Sequence, residues 1–270
     1  MCNNINNIIK ENIFDTVDVI KNDMVFLYII KDLSDKLKSY IRENFRSICR
    51  GNNKNEYISV LKQFKEIIDS KDDIKKMGII GELLSHIFIK CNSNNFKTIS
   101  VLFNLEDKSY TKAFDIVITD SKENTLWFAE VKSGQVNENE TSQSKNTTLL
   151  QKSKREFIDK INNQEKYIWA NTINHAEKII KDENSKILDI LNKIYDEKIK
   201  IDYYRNAVLF SVVFNNIDDT IIFEKILEER KKIFNTNMFD HLIIFSIQKN
   251  TYQKVMNFLL DELNNFKGND

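Results

Sequence analysis

Two short apolar segments separated by a polar turn carry charges where a folded chain tolerates them poorly. Lys112-Ala-Phe-Asp115-Ile-Val-Ile-Thr119 and Leu126-Trp-Phe-Ala-Glu130-Val-Lys132 each have the β-branched and aromatic content of a strand. Two carboxylates and a lysine stand inside them, residue types that are almost never buried unless they are paired or bind a metal. A metal-ion site that cleaves phosphodiesters accounts for this cost.

Strand alternation sets the geometry. Leu126, Phe128, Glu130 and Lys132 share one face, and Trp127, Ala129 and Val131 the other. Glu130 and Lys132 therefore lie side by side, roughly 7 Å apart along the strand. Asp115 meets Glu130 only if the hairpin register sets Asp120 opposite Thr125, leaving Ser121 to Asn124 as a four-residue loop. A slip of one residue would turn Asp115 to the opposite face.

A third acid lies upstream. Asp72 to Ile89 reads as a helix with acidic residues at its start, apolar around most of its circumference through Ile74, Met77, Ile80, Leu83, Leu84, Ile87 and Phe88. Lys75, Gly78, Glu82, Ser85 and His86 form its polar stripe. Glycine costs a helix interior about 1 kcal/mol relative to alanine. Gly78, one turn before Glu82, is therefore expected to leave room for close approach to that carboxylate.

A helix carrying Glu82, followed by strands carrying Phe114-Asp115 and Glu130-x-Lys132, resembles the PD-(D/E)xK nuclease superfamily. Lys112-x-x-Asp115 and the order of elements match, while the proline of the superfamily name is absent. Gly81-Glu82-Leu-Leu, with the preceding helix ending Tyr40-Ile-Arg-Glu-Asn-Phe-Arg-Ser-Ile-Cys49, is similar to the HamA-like nuclease subunits of Hachiman anti-phage defence. The superfamily likeness covers about residues 74–215, and the narrower one adds the N-terminal region. It implies an α/β fold: a restriction-endonuclease-like core of helix, antiparallel hairpin, helix and strand, with a mainly helical N-terminal extension. It also implies a Mg²⁺- or Mn²⁺-dependent deoxyribonuclease, with DNA and a HamB-like helicase subunit as partners.

Magnesium prefers oxygen ligands and keeps several waters. On this reading Asp115, Glu130 and the backbone carbonyl of Val131 are metal ligands. Glu82 acts directly, through water or at a second metal. Lys132 orients the attacking water and offsets charge on the phosphate. Lys145, Lys152, Lys154, Arg155 and Lys160, on the helix that follows, are expected to face the DNA groove, although an ordinary solvated helix face reads the same way. His86 is within reach of Glu82, but a histidine so placed is more often structural.

The chain carries 40 basic and 40 acidic residues and so lacks the bulk charge that grips nucleic acid on its own. Any DNA contact must use a local patch or a partner. No run approaches a membrane span, the N-terminus shows no signal-peptide pattern, and Cys2, Cys49 and Cys91 have no zinc spacing. A cytoplasmic protein with reduced thiols is expected. No glycine-rich phosphate loop or Ser/His/Asp arrangement appears, which argues against ATP hydrolysis and acyl transfer.

Residues 1–70 read as a mainly helical region for partner docking or fold completion, and 71–270 as the nuclease-like domain with an extra helix–strand–helix. Met24 to Ile30 fits either strand or helix. Strands are expected at about 96–103, 112–120, 125–132, Ala207–Phe214 and His241–Ile247, and a loose loop at Gly134–Asn146. Helices are expected at 148–168 and 172–198, interrupted near Ala170-Asn171, and at 218–235 and 251–265. The competing function is a non-catalytic nucleic-acid-binding or regulatory module on the same fold. An intact Asp115/Glu130/Lys132 set favours the enzyme, and metal-dependent nicking of plasmid separates the two.

Overall fold

A computed structural model describes residues 8–52, 55–92, 96–103, 114–120, 125–162, 166–181, 185–198 and 205–267. Three strands come first, β1 (Ile9–Ile13), β2 (Val17–Lys21) and β3 (Val25–Ile30). Helices α1 (Asp35–Arg50), α2 (Tyr57–Asp69) and α3 (Asp73–Asn92) follow, then strands β4 (Phe96–Thr98), β5 (Ile116–Asp120) and β6 (Thr125–Gln135). The remainder is α4 (Ser142–Asn162), α5 (Lys166–Ile179), α6 (Lys186–Tyr195), β7 (Asn206–Phe214), α7 (Phe223–Phe234), β8 (His241–Lys249) and α8 (Gln253–Lys267).

All eight strands form one mixed sheet in the order β1-β2-β3-β8-β7-β6-β5-β4. The four central strands, β3, β8, β7 and β6, are parallel, with an antiparallel pair at each edge. Sequence dictates which strands are central. Asn206–Phe214 is a nearly unbroken apolar run buried at every position, as an interior parallel strand with helices on both faces requires. β1, Ile-Lys-Glu-Asn-Ile, is mostly exposed and sits at the edge, where Lys21 pairs with Glu11 at 2.6 Å.

One face of the sheet packs on α1, α2, α3 and α8 through Leu37, Phe45, Phe64, Phe88 and Leu259. The other packs on α4, α5, α6 and α7 through Leu150, Phe157, Trp169, Leu191 and Ile226. This is a mixed α/β architecture of two helical layers around a sheet.

Several expectations need correction. The first 70 residues hold α1 and α2 but also three strands, and β3 lies inside the sheet against β8. They are therefore not a helical extension apart from the sheet. Val25–Ile30 becomes a strand because its partner, Ile244–Lys249, lies more than 200 residues away, where no local window sees it.

Gly134–Asn146 is not a loose loop. Gly134 and Gln135 extend β6 by pairing with Val213 and Phe214, and α4 starts at Ser142, whose N–H donates to Asp219 at 2.7 Å. Ala170 and Asn171 lie within α5. β4 stops at Thr98, short of the expected strand, and residues 112–113 and 121–124 lie outside the described residues.

Lys249 is fully buried at the end of β8, and among the described residues its Nζ has no hydrogen-bond partner. Burial, reinforced by the charge of Lys254, pulls its pKa down to about 8. A depressed lysine contributes stability above its unfolded pKa and loses it as pH falls through the folded value. Lys249→Met should accordingly stabilise the fold at pH 7 by on the order of 1–2 kcal/mol. That advantage over wild type should shrink as pH rises from about 8 towards 10. Paired urea melts at pH 7 and pH 9.5 measure it, and an advantage that does not change with pH would refute this account.

Candidate active site

The hairpin register is the one that alternation and the acids require. β5 and β6 pair Asp120 with Thr125 and Ile116 with Ala129, so the next pair outward is Asp115 with Glu130. At that point the strands part. The Asp115 carboxylate, through Oδ2, accepts the Val131 N–H at 2.8 Å where the backbone ladder would otherwise continue. This hydrogen bond fixes the carboxylate at the fork, beside the strand that carries Glu130 and Lys132.

Glu130 points into the α4 layer with Leu126 and Phe128 and is fully buried. A buried carboxylate needs a counter-charge, and α4 supplies it. Lys160 Nζ lies 2.7 Å from Glu130 Oε1, and Lys132 Nζ lies 3.9 Å from Oε2. Lys132 is itself held at 2.5 Å by Glu156, which also meets Lys160 at 3.3 Å one helical turn on. The four side chains close a ring of alternating charge, and Lys160 rests over the Phe114 ring at 5.8 Å. Phe114 in turn packs at tilted angles among Phe128, Phe157 and Trp169, so an aromatic floor supports the charges.

Electrostatics follow from this packing. Burial, then the nearby charge of Asp115, push the Glu130 pKa well up, against the pull of Lys160 and Lys132. For Lys160 burial alone would favour the neutral amine, but the charges of Glu130, Asp115 and Glu156 outweigh it and raise the pKa. Burial would raise Glu156 as well, yet its hydrogen bond to Lys132 and the charge of Lys160 hold it below the ordinary range. Glu130 Oε2 has no hydrogen-bond partner among the described residues.

The expected site residues thus separate. Asp115, Glu130 and Lys132 come together. Glu82 lies on α3, whose buried side chains pack with Trp127, Ala129 and Val131 on the opposite face of the sheet from Glu130. His86 on the same helix is fully buried. Among the described residues no group of three or more His, Cys, Asp or Glu side chains is gathered as a metal cluster.

On α4, Lys152 and Arg155 are exposed, and Lys154 is partly so. Lys145 pairs with Glu140 at 3.0 Å. Lys160 belongs to the site rather than to a DNA-facing surface. Glu156 is a residue that the sequence reading missed. Its one signal was the four-residue spacing to Lys160 on the helix after Glu130-x-Lys132.

Close packing between helix and sheet falls on Gly81, while Gly78 has no neighbouring backbone against it among the described residues. A Cβ added at Gly81 would lie 1.8 Å from Ser133 Oγ and 2.9 Å from Ser133 Cβ, so α3 approaches β6 at this residue. At Gly78 an added Cβ meets nothing within 4 Å. Gly78→Ala should therefore stabilise by about 0.5–1 kcal/mol through helix propensity. Gly81→Ala should cost roughly 1–3 kcal/mol as overpacking. Rotation of the Ser133 hydroxyl relieves only the first clash, so Ser133→Gly should recover part of the loss. Equal effects of the two alanines in chemical denaturation would refute this packing.

No described helix is long and apolar enough to cross a membrane. A search of curated proteins finds no match to the chain. The family model of HamA matches residues 3–263, nearly the whole sequence, and so takes in the strands, both helical layers and every residue of the charged ring. The chain belongs to the HamA family, the nuclease-like subunit of Hachiman anti-phage defence.

Proposed function

We propose that this HamA protein is a metal-dependent DNA nuclease of the PD-(D/E)xK type, the effector of its defence system under control of a helicase partner. The observation that carries the reading is the fully buried Glu130 beside Asp115 and Lys132, with Oε2 lacking a hydrogen-bond partner among the described residues. Asp115 and Glu130 follow one another at the β5–β6 fork, and the charge of Asp115 acts to raise the Glu130 pKa, so a cation beside the pair would relieve the repulsion. An all-oxygen donor set suits magnesium, which needs few protein ligands because it retains waters. The Val131 N–H points to Asp115. Because a strand residue aims its N–H and C=O at the same neighbour, its carbonyl suits a third ligand.

When bound, the metal would polarise the scissile phosphate and activate a water. Lys132, partly exposed beside Glu130, would orient that water and offset charge on the phosphate. The succession α3, β5–β6 hairpin, α4, β7 is the order expected of a restriction-endonuclease-like core. Glu82, across the sheet from Glu130, would serve only at a second metal. Lys145, Lys152, Lys154 and Arg155 remain the proposed contacts to DNA phosphates.

The chain is charge-neutral, so a helicase subunit in a stable hetero-complex would supply the grip on DNA and restrain cleavage until DNA is engaged. A non-catalytic module is favoured by one observation, the pairing of both Glu130 and Lys132 with α4 side chains. Supercoiled plasmid, incubated with the co-expressed helicase, ATP and either Mg²⁺ or Ca²⁺, tests the choice. Cleavage should appear with Mg²⁺ and fall by about a hundredfold or more with Ca²⁺, whose looser and higher coordination spoils the reactive geometry. Equal rates in the two ions would count against this site, and no cleavage in any divalent metal would favour the module.

A further inference from the structure

Resting on the nuclease reading, we propose that Lys160 is a resident counter-ion that occupies the metal-binding carboxylate, and that Glu156 takes it over when a divalent cation arrives. Three distances carry this inference. Lys160 Nζ stands 2.7 Å from Glu130 Oε1, inside the space that a cation bound to this carboxylate needs. Its alternative acceptor, Glu156 Oε1, is already within 3.3 Å, so the exchange needs a change of rotamer and no movement of the helix. Glu156 Oε2 meanwhile tethers Lys132 at 2.5 Å.

The shape of the ring couples these contacts. Glu130 cannot be left fully buried without a positive partner, and Lys160 satisfies it while no metal is bound. When a divalent cation takes Glu130, repulsion drives Lys160 onto Glu156. A Glu156 carboxylate neutralised by Lys160 then holds Lys132 less strongly, which frees that ammonium to meet a phosphate. Glu156 is the most exposed member of the ring, 42% accessible at the side chain, against 13% for Lys160 and 0% for Glu130. It therefore sits where solvent can screen the added charge. Glu156 and Lys160 are positioning residues here, since they act through Lys132 and Glu130.

The test uses Mn²⁺ alone, without DNA, and reads affinity by titration calorimetry and electron paramagnetic resonance. Competition predicts that Lys160→Met binds Mn²⁺ about tenfold tighter than wild type, the factor set by one charge-assisted hydrogen bond no longer displaced. Lys160→Arg, which keeps the competing charge, should stay near wild type. Should the methionine variant fail to fold, Lys160→Gln keeps a donor to Glu130 without the charge and should also bind more tightly. Equal affinity across wild type, Lys160→Arg and Lys160→Gln would overturn the counter-ion role while leaving the metal site standing. Weaker binding in the uncharged variants would overturn it as well. Absence of Mn²⁺ binding in every protein would instead bring down the nuclease reading, and this inference with it.

Discussion

Lys132→Met should lower DNA cleavage by at least about 10²–10³-fold, the range lost when one preorganised transition-state contact is removed. Folding should barely change. Lys132 is partly exposed and its main partner Glu156 is 42% accessible, so the ion pair is worth little to stability. Metal affinity should not fall, because the lysine acts on water and phosphate and its loss leaves Glu156 free to hold Lys160. The measurement is a single-turnover rate alongside a Mn²⁺ titration on the same preparation. Retention of substantial Mg²⁺-dependent cleavage would show that the roles are assigned wrongly.

Glu130→Gln should abolish cleavage by a different route and should not weaken the fold. Asp115→Asn should likewise remove activity through metal affinity, but it also weakens the acceptor that holds the Val131 N–H at the fork. For Glu130 the sign of the pH effect can be worked out. Burial and Asp115 raise its folded pKa above the unfolded value. Its contribution to stability is therefore complete below the unfolded pKa and is lost as pH rises through the folded one. Above the unfolded pKa, keeping this acid buried is a cost that Lys160 only partly offsets. A glutamine of the same shape removes that cost, and Glu156, 3.3 Å away, keeps Lys160 from being left as an unpaired buried charge. Glu130→Gln should then match or exceed wild-type stability at pH 7.5 and lose that advantage near pH 4. A variant markedly less stable at pH 7.5 would show that the carboxylate is structural, and the site would need another explanation. Stability given up at one buried acid is an expected mark of a functional group.

The legible part of the site was the part written in local alternation. Glu130 and Lys132 two apart in a strand share a face whatever the rest of the chain does. The one register that lets Asp115 meet Glu130 also left a loop of ordinary length, and Asp120 does pair with Thr125. The buried helix around Glu82 was equally visible, since Ile80 to Ile89 is buried throughout.

Tertiary structure alone decided how the layers are dealt out. A helix pattern shows that one face is buried but not against which side of a sheet, so only the fold places α3 and Glu82 opposite α4 and Glu130. The strand character of Val25–Ile30 depended on β8, a partner supplied by the far end of the chain. Lys160 looked like one more solvated lysine, because charge in a sequence carries no depth. Its role came from a fully buried carboxylate thirty residues earlier, and a buried charge takes as its partner whichever cation the fold brings within reach.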